Sequence, residues 1–314
     1  MLGKVLKSTS NRYLVELGNK TIITARLRGK IRLEELKTTN PIAVGDNVEL
    51  SKDKDEEGIH TILNILKRKN YIIRKSTNLS KQKQIIAANV DLAILVYTLK
   101  EPFTHQLFID RFLVSLESFR IPTIILFNKM DIYNEVEKKE IEILSAVYQN
   151  IGYHCYQYSM FHQDNKNEII SLMKNKQVVL AGNSGVGKST FISSLDTAIN
   201  LKKGNISVAN KQGKHTTTFA EMYHLSIDSY VIDTPGIRAF GLVELDKENF
   251  AHYFPEMRNV LGKCKYYNCL HINEPECAVK KAVDLDIINS SRYQNYLQMM
   301  NEEEEDTHRK NKFS

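Results

Sequence analysis

Long apolar runs are missing from this chain. No stretch reaches the roughly 18 residues that a membrane-spanning helix needs. The opening MLGKVLKSTSNRYLVEL alternates and carries charge where a secretory leader would be continuously apolar. Both readings are set aside, and a cytoplasmic protein with no membrane partner is expected. Cysteine is scarce: four in 314 residues, too few for a disulfide framework in a chain of this length. Three of the four, Cys264, Cys269 and Cys277, fall within fourteen residues, which points to metal rather than redox chemistry. Internal repeats are absent, which excludes a solenoid or propeller. Coiled-coil patterning is absent too, so a monomer is the expected state.

What remains is an ordinary globular composition, 42% apolar and 25% charged. The length suggests two or three domains. The net charge of +6 is unevenly placed. Residues 1–75 hold 16 Lys/Arg against 9 Asp/Glu, a balance of +7, while the rest of the chain holds 27 against 28. The N-terminal segment carries the whole excess and is the first candidate for contact with nucleic acid.

Residues 1–68 read as five short strands with polar turns: GKVLKSTSNRYLVEL as a hairpin, then TIITARL, VGDNVEL and HTILNIL. This predicts a small β-barrel of the OB type. In ARLRGKIR, the residues Arg26, Arg28, Lys30 and Arg32 recur at period two. On an extended strand they would share one face, either simply solvated or tracking RNA phosphates. Residues 67–84 (KRKNYIIRKSTNLSKQKQ) show no core pattern and read as a linker or exposed loop. From residue 90 the grammar changes to apolar strands alternating with helices, which predicts a doubly wound parallel sheet over residues 69–244. Residues 245–314 read as a mostly helical, cysteine-bearing domain with an acidic, then basic, tail that is expected to be mobile. The chain is therefore expected to be multidomain.

GNSGVGKS, at Gly182 to Ser189, matches G-x-x-x-x-G-K-[ST]. It follows the apolar strand QVVLA and opens the helix TFISSL, which is the context that a phosphate-binding P-loop requires. Glycines let backbone N–H groups curl around phosphates. The nucleotide-binding candidates here are Gly182, Asn183, Ser184, Gly185, Val186, Gly187, Lys188, Ser189 and Thr190. Lys188 would reach the β/γ-phosphates, and Ser189 would hold Mg²⁺. DTPG at Asp233–Gly236 ends another strand; Asp233 would stand behind Mg²⁺ as a Walker B aspartate does, and Gly236 would offer an N–H to the γ-phosphate. Between them lies KHTTT, where Thr217, or failing it Thr218, would supply the switch-loop contact to Mg²⁺.

NKMD, at Asn128 to Asp131, reads as [NT]-K-x-D. The Asp131 carboxylate would accept from both guanine ring and exocyclic N–H groups, a donor pair that adenine lacks, so GTP is expected over ATP. Asn128 would contact the purine and tie the base loop to the P-loop, and the Lys129 stem would pack along the base. Ser159 and Met160 would form the second base-contacting loop. Cys264, Cys269, His271 and Cys277 give C-x₄-C-x-H-x₅-C, the donor set of a structural zinc site. Cys155 lies inside the sheet and reads as a buried small hydrophobe.

The base motif precedes the P-loop by about fifty residues, the reverse of an ordinary GTPase. Loops of a doubly wound sheet are placed by strand position in space, so a rotated chain order keeps such a site whole. The cut falls just after DTPG, which then runs straight into the cysteine-bearing domain, an arrangement in which hydrolysis would swing that domain as a body. The rotated order, with GNSGVGKS, GKHTTT, DTPGIRAFGL, NKMD, IDRFLV and the cysteine cluster, resembles the small-subunit-dependent GTPases of the RsgA (YjeQ) family over nearly the whole chain. The resemblance implies an OB-fold, a circularly permuted P-loop GTPase and a zinc-binding domain. It implies a GTP hydrolase that binds the small ribosomal subunit and its rRNA late in maturation, with low intrinsic activity raised by the subunit.

The position after DTPG holds Ile237, where many GTPases place the Gln that orients water. His215, beside the switch threonines, is the nearest group able to do so, and the resemblance supports it. Two other readings stay open at this level: an RNA-binding assembly factor using GTP only as a ligand, which Ile237 keeps open, and a small-molecule kinase, which NKMD disfavours.

Overall fold

The computed structural model describes residues 1–9, 12–27, 41–75, 83–162, 164–196, 220–233 and 247–311. Its first five strands are β1 (Leu2–Ser8), β2 (Tyr13–Leu17), β3 (Ile22–Leu27), β4 (Asn47–Lys54) and β5 (His60–Ile65). They pair in the order β1-β2-β3-β5-β4 and close on themselves through β4 and β1. Only the β3–β5 pair is parallel. Alternation sends Val5, Tyr13, Val15, Ala25, Val48, Leu50 and Ile62 inward to fill the barrel, as a small closed barrel requires. This is the five-stranded barrel expected from the sequence.

The segment expected to be a linker is instead tied down. Arg68 is bidentate to the fully buried Asp46, at 2.7 and 2.6 Å, and also donates to the Pro41 carbonyl at 2.6 Å. Beyond it, β6 (Tyr71–Lys75) and β7 (Lys83–Ala88) form an antiparallel pair with Ile72, Ile73 and Ile85 buried. Their apolar pairs are too short to show alternation among so many basic neighbours. Residues 76–82 of that stretch lie outside the described residues.

The central sheet comprises β8 (Leu92–Tyr97), β9 (Thr123–Phe127), β10 (His154–Gln157), β11 (Gln177–Ala181), β12 (Glu221–Leu225) and β13 (Ser229–Asp233). Its order is β10-β9-β8-β11-β13-β12, and every neighbouring pair from β10 to β13 is parallel. Among the described residues, four helices flank it: α1 (Gln106–Ser118), α2 (Glu135–Asn150), α3 (Lys166–Met173) and α4 (Lys188–Leu195). Along β8, Ala93, Leu95 and Tyr97 enter one core, and Leu92, Ile94 and Val96 enter the other. Both faces are covered, which is why these strands are apolar throughout rather than alternating. β12 departs from the parallel expectation and runs antiparallel to β13. The three residues between them are far too few for a crossover connection.

β12 also pairs with β1 at Lys7↔Glu221, so the barrel continues the central sheet. Lys7 and Glu221 form an ion pair at 3.2 Å across this joint. Beside it, Tyr230 of β13 donates to Glu16, Lys20 Nζ donates to the Tyr230 hydroxyl at 2.8 Å, and Lys4 Nζ lies 4.3 Å above the ring.

The C-terminal region contains a 3₁₀ segment (Lys247–Tyr253), then α5 (Pro255–Arg258), α6 (Ala278–Asp284) and α7 (Ser290–Asn311). The stretch read as a loose tail continues α7 as helix to Asn311. No helix among the described residues is long and apolar enough to cross a membrane. Phe250, Phe254, Met257, Tyr296 and Met299 form a core that also takes in Val114 of α1.

Inside that junction Arg292 is wholly buried. It donates to Asp110 of α1 at 2.6 Å and to both Glu256 oxygens at 2.8 and 3.1 Å. Tyr148 and Asn295 also donate to Asp110, at 2.6 and 2.5 Å. The two carboxylates hold the Arg292 guanidinium charged against the cost of its burial. Asp110→Ala removes one of them and leaves the cation half-compensated. Destabilisation of about 3–5 kcal/mol is expected, read as a lower unfolding midpoint of the C-terminal region in thermal or urea melts.

Candidate nucleotide site and metal centre

Chain order and strand order diverge at one place in the central sheet. From β8 the chain steps outward through β9 to β10, then returns to the other side of β8 as β11 and moves on to β13. The crevice at the carboxyl ends of β8 and β11 is therefore the switch point, where open α/β sheets bind ligands. Parallel pairing brings five segments to that edge: residues 98–104 after β8, Asn128 after β9, Ser159 after β10, Gly182 after β11, and Asp233 at the end of β13.

The Gly182–Gly187 loop takes a shape that only glycine allows at two points. Gly182 and Gly187 have φ of 137° and 96°. A Cβ on Gly182 would strike the Val96 carbonyl, and one on Gly187 would strike the Asn128 amide. Val186 is buried and fixes the loop in the core. Lys188, at the start of α4, donates from Nζ to the Gly182 and Asn183 carbonyls, both at 2.7 Å. The ammonium thus lies over the loop it would serve. Ser184, Gly185, Ser189 and Thr190 are exposed around the same mouth.

Asn128 is buried and donates from Nδ2 to the Val186 carbonyl at 2.8 Å, tying the NKMD loop to the P-loop. Lys129 has φ of 65° and reaches the Glu101 carbonyl. Asp131 accepts from Ser159 Oγ at 2.7 Å, and Met130 N donates to the Tyr158 carbonyl at 3.2 Å. The two candidate base loops are thereby one unit. Tyr158 fastens that unit to α4 through Ser194 at 2.7 Å and an edge contact with Phe191 at 5.3 Å. Ser159 is buried, while Met160 is largely exposed.

Sequence motifs gave no sign of the 98–104 loop. Thr104 accepts from Asn183 Nδ2 at 3.3 Å, and Pro102 abuts Gly185. Tyr133 is a second omission: its hydroxyl donates to the Asn128 carbonyl at 3.1 Å and accepts from Leu99 N at 3.0 Å, bracing both loops. KEPFT looks like any turn, and only the strand order brings it to the P-loop.

Asp233 ends β13 beside Leu180, with its backbone at the crevice edge. Its side chain, and the residues His215, Thr217, Thr218 and Gly236, lie outside the described residues, as do Arg28, Lys30 and Arg32. Arg26 is described, and it is engaged with acids: 2.8 Å to Asp55 and 3.1 Å to Glu57. Cys155 sits half-buried in the sheet; burial pushes its thiol up to about 11, which keeps it inert.

The four metal candidates do meet. Donor atoms of Cys264, Cys269, His271 and Cys277 lie within 4.8 Å of one another. That spacing fits a tetrahedral ion with bonds of about 2.3 Å to sulfur and about 2.0 Å to nitrogen. His271 Nδ1 is 3.4 Å from the Cys277 sulfur and 3.6 Å from that of Cys264, so Nδ1 is the ring nitrogen that faces the cluster. The backbone around it is braced. Tyr293 and Tyr296 donate to the His271 and Leu270 carbonyls, at 2.7 and 2.6 Å. Glu274 accepts from Leu270 N and Ile272 N, at 2.7 and 2.8 Å. Burial, with the neighbouring sulfurs adding to it, pushes the Cys269 thiol up to about 12, and burial lowers His271, keeping it neutral as a ligand must be. A divalent cation reverses the thiol effect by stabilising thiolates.

A P-loop at the switch point of a parallel sheet, wired to an [NT]-K-x-D loop that comes earlier in the chain, defines a P-loop GTPase in permuted order. The family model for the RsgA GTPase matches residues 65–243, and that for the RsgA N-terminal domain matches residues 2–59. The chain belongs to the RsgA family and is a GTPase. It is 45% identical over 306 residues to the small ribosomal subunit biogenesis GTPase RsgA of Flavobacterium psychrophilum, covering 97% of this chain and 94% of that one. The protein of the same name from Cytophaga hutchinsonii is 46% identical over 309 residues, 98% of this chain and all of that one. Among solved structures, YjeQ from Thermotoga maritima superposes with a TM-score of 0.76 at 35% identity, over 96% of this chain and 97% of that one. YloQ, a circularly permuted GTPase, gives 0.73 at 30% identity over 97% and 95%.

Asn128→Ala leaves the Val186 carbonyl without its donor and unties the loops. Guanine-nucleotide affinity is expected to fall about tenfold or more, with the fold intact, by titration with a fluorescent GDP analogue. Metal analysis of gently purified protein is expected to give one equivalent of tightly held metal. Cys269→Ser, or removal by a chelator, should lose it and unfold the α5–α6 region by near-ultraviolet dichroism.

Proposed function

We propose that this GTPase binds GTP with Mg²⁺ in the β8/β11 crevice and acts in maturation of the small ribosomal subunit, binding the subunit and its rRNA and being stimulated by it. In this reading Lys188 meets the β/γ-phosphates, and Ser189 and Thr217 hold Mg²⁺ with Asp233 behind them. Gly236 offers its N–H to the γ-phosphate. Asp131 reads guanine, with Asn128, Lys129, Ser159 and Met160 around the base. The Cys264, Cys269, His271 and Cys277 cluster holds one structural Zn²⁺. Residues 1–68, 69–244 and 245–314 act as barrel, GTPase and zinc domain, in a cytoplasmic monomer.

One observation carries the nucleotide half: the Asn128–Val186 hydrogen bond, which joins motifs found in inverted order. The ribosomal half rests on full-length relatedness to proteins bearing that name. It draws support from the +7 balance of residues 1–75, since phosphate contacts dominate RNA affinity. Ile237 makes no contribution to orienting water, so slow turnover alone and His215-dependent turnover on the subunit are the natural pattern.

Phosphate release from GTP is expected to rise on adding purified small subunits, while ATP is not turned over. His215→Ala should slow the stimulated rate by about 10²-fold or more and leave GTP binding unchanged. Identical turnover with and without subunits would refute stimulation, and normal turnover of the variant would clear His215.

A further inference from the structure

The four residues between two metal-site cysteines, Cys264 and Cys269, are Lys265, Tyr266, Tyr267 and Asn268. Both ends of this loop are pinned. Cys264 Sγ accepts from Ala278 N at 3.3 Å, and Cys269 N donates to the Tyr266 carbonyl at 3.3 Å. On it, Tyr267 is 103% exposed and Tyr266 42% exposed. A tyrosine commonly buries 150 Å² or more, roughly, when it serves a core; Tyr267 buries nothing and gives the fold no packing.

The stretch of chain that carries the ring is basic, and its acidic partners come from outside it. Residues 258–268 include Arg258, Lys263 and Lys265 and no acid. Arg258 meets Glu117 at 3.2 Å and Lys265 meets Glu276. Both pairs are exposed, and such pairs hold weakly enough to be exchanged for phosphate. Lys265 Nζ also lies 5.9 Å above the Tyr266 ring. An aromatic face on a rigid loop, flanked by cations, is the combination that stacks unpaired nucleotides and tracks their backbone.

We propose that the Cys264–Cys269 loop is a stacking platform for an unpaired nucleotide of RNA, with the Tyr267 ring taking the base and Lys263 and Lys265 the flanking phosphates. This rests on the small-subunit reading above and supplies a contact point for it on the metal domain.

The protein has no tryptophan, so Tyr267→Trp places a single indole at the site. In metal-loaded, full-length protein its emission should be quenched by purified small subunits and by short unstructured oligouridine RNA. Tyr267→Ala should weaken subunit binding about 5- to 100-fold at every salt concentration, with the salt slope unchanged, and Tyr267→Phe should restore it. Replacing Lys263 and Lys265 by Ala should lower the slope of log affinity against log salt by about 1 to 2. Metal content and unstimulated GTP turnover should not change in Tyr267→Ala. Unquenched emission on bound subunits, or parental affinity in Tyr267→Ala, overturns the platform while leaving the subunit reading intact. Quenching by subunits with none by RNA assigns the ring to a ribosomal protein and also overturns it. Failure of the parent chain to bind subunits refutes the functional reading, and the RNA quenching then decides the platform by itself.

Discussion

The Asn128 side chain reaches one carbonyl, that of Val186, 58 residues further along the chain. Much of the site's geometry depends on that reach. Gly187 has no room for a Cβ because the Asn128 amide fills the space, and Asn128 is held in turn by Tyr133 beneath its own carbonyl. An amide buried in this way is costly unless it is paired, so the pairing fixes the distance between base loop and phosphate loop. Chain order places no demand on such a contact. What it needs is β9, β8 and β11 side by side and parallel, and the apolar faces of those strands supply that.

The permutation leaves β12 and β13 as a hairpin at the edge of the sheet, and an open edge invites a partner strand. Here the barrel is that partner. β1 pairs at Lys7↔Glu221, and Glu16, Lys20 and Lys4 surround Tyr230 of β13. KHTTT precedes this hairpin and DTPG follows it in the chain, so both segments proposed to sense the γ-phosphate adjoin strands that the barrel grips. A displacement of β13 against β11 must therefore move the barrel or break the joint. The sequence reading looked for movement only in the cysteine-bearing domain. The joint adds a second route, since a packed interface shifts between discrete arrangements rather than deforming smoothly.

Much of this architecture was legible in the chain. Strands with strict alternation or wholly apolar character emerged near their expected positions, and the P-loop, NKMD and the cysteine spacing each came with the context that their chemistry requires. Failures have a common physical cause. Arg68, the β6–β7 pair, Pro102, Thr104 and Tyr133 matter through partners distant in sequence, and nothing local marks them. Lys67 to Lys75 reads as solvated because five of its nine residues are basic, yet Arg68 turns inward onto the buried Asp46. Charge is a reliable sign of exposure only where no opposite charge waits inside. Arg26 shows the same from the other side, for it is already matched by Asp55 and Glu57.

Arg292 carries that reasoning furthest. A buried guanidinium between Asp110 and Glu256 is weak evidence for stability, because well-packed apolar residues often do as well. Its geometry is demanding, however: Asp110 comes from α1, Glu256 from α5, and Tyr148 from α2 shares the same Asp110 oxygen. An apolar patch would let the C-terminal helices slide on α1, whereas directional bonds to three elements accept a single register. α1 begins two residues after Thr104, which meets the P-loop at Asn183. The helix that receives the cysteine-bearing region is thus the one that starts at the switch-point crevice, and the fixed register makes it a rigid strut between the two.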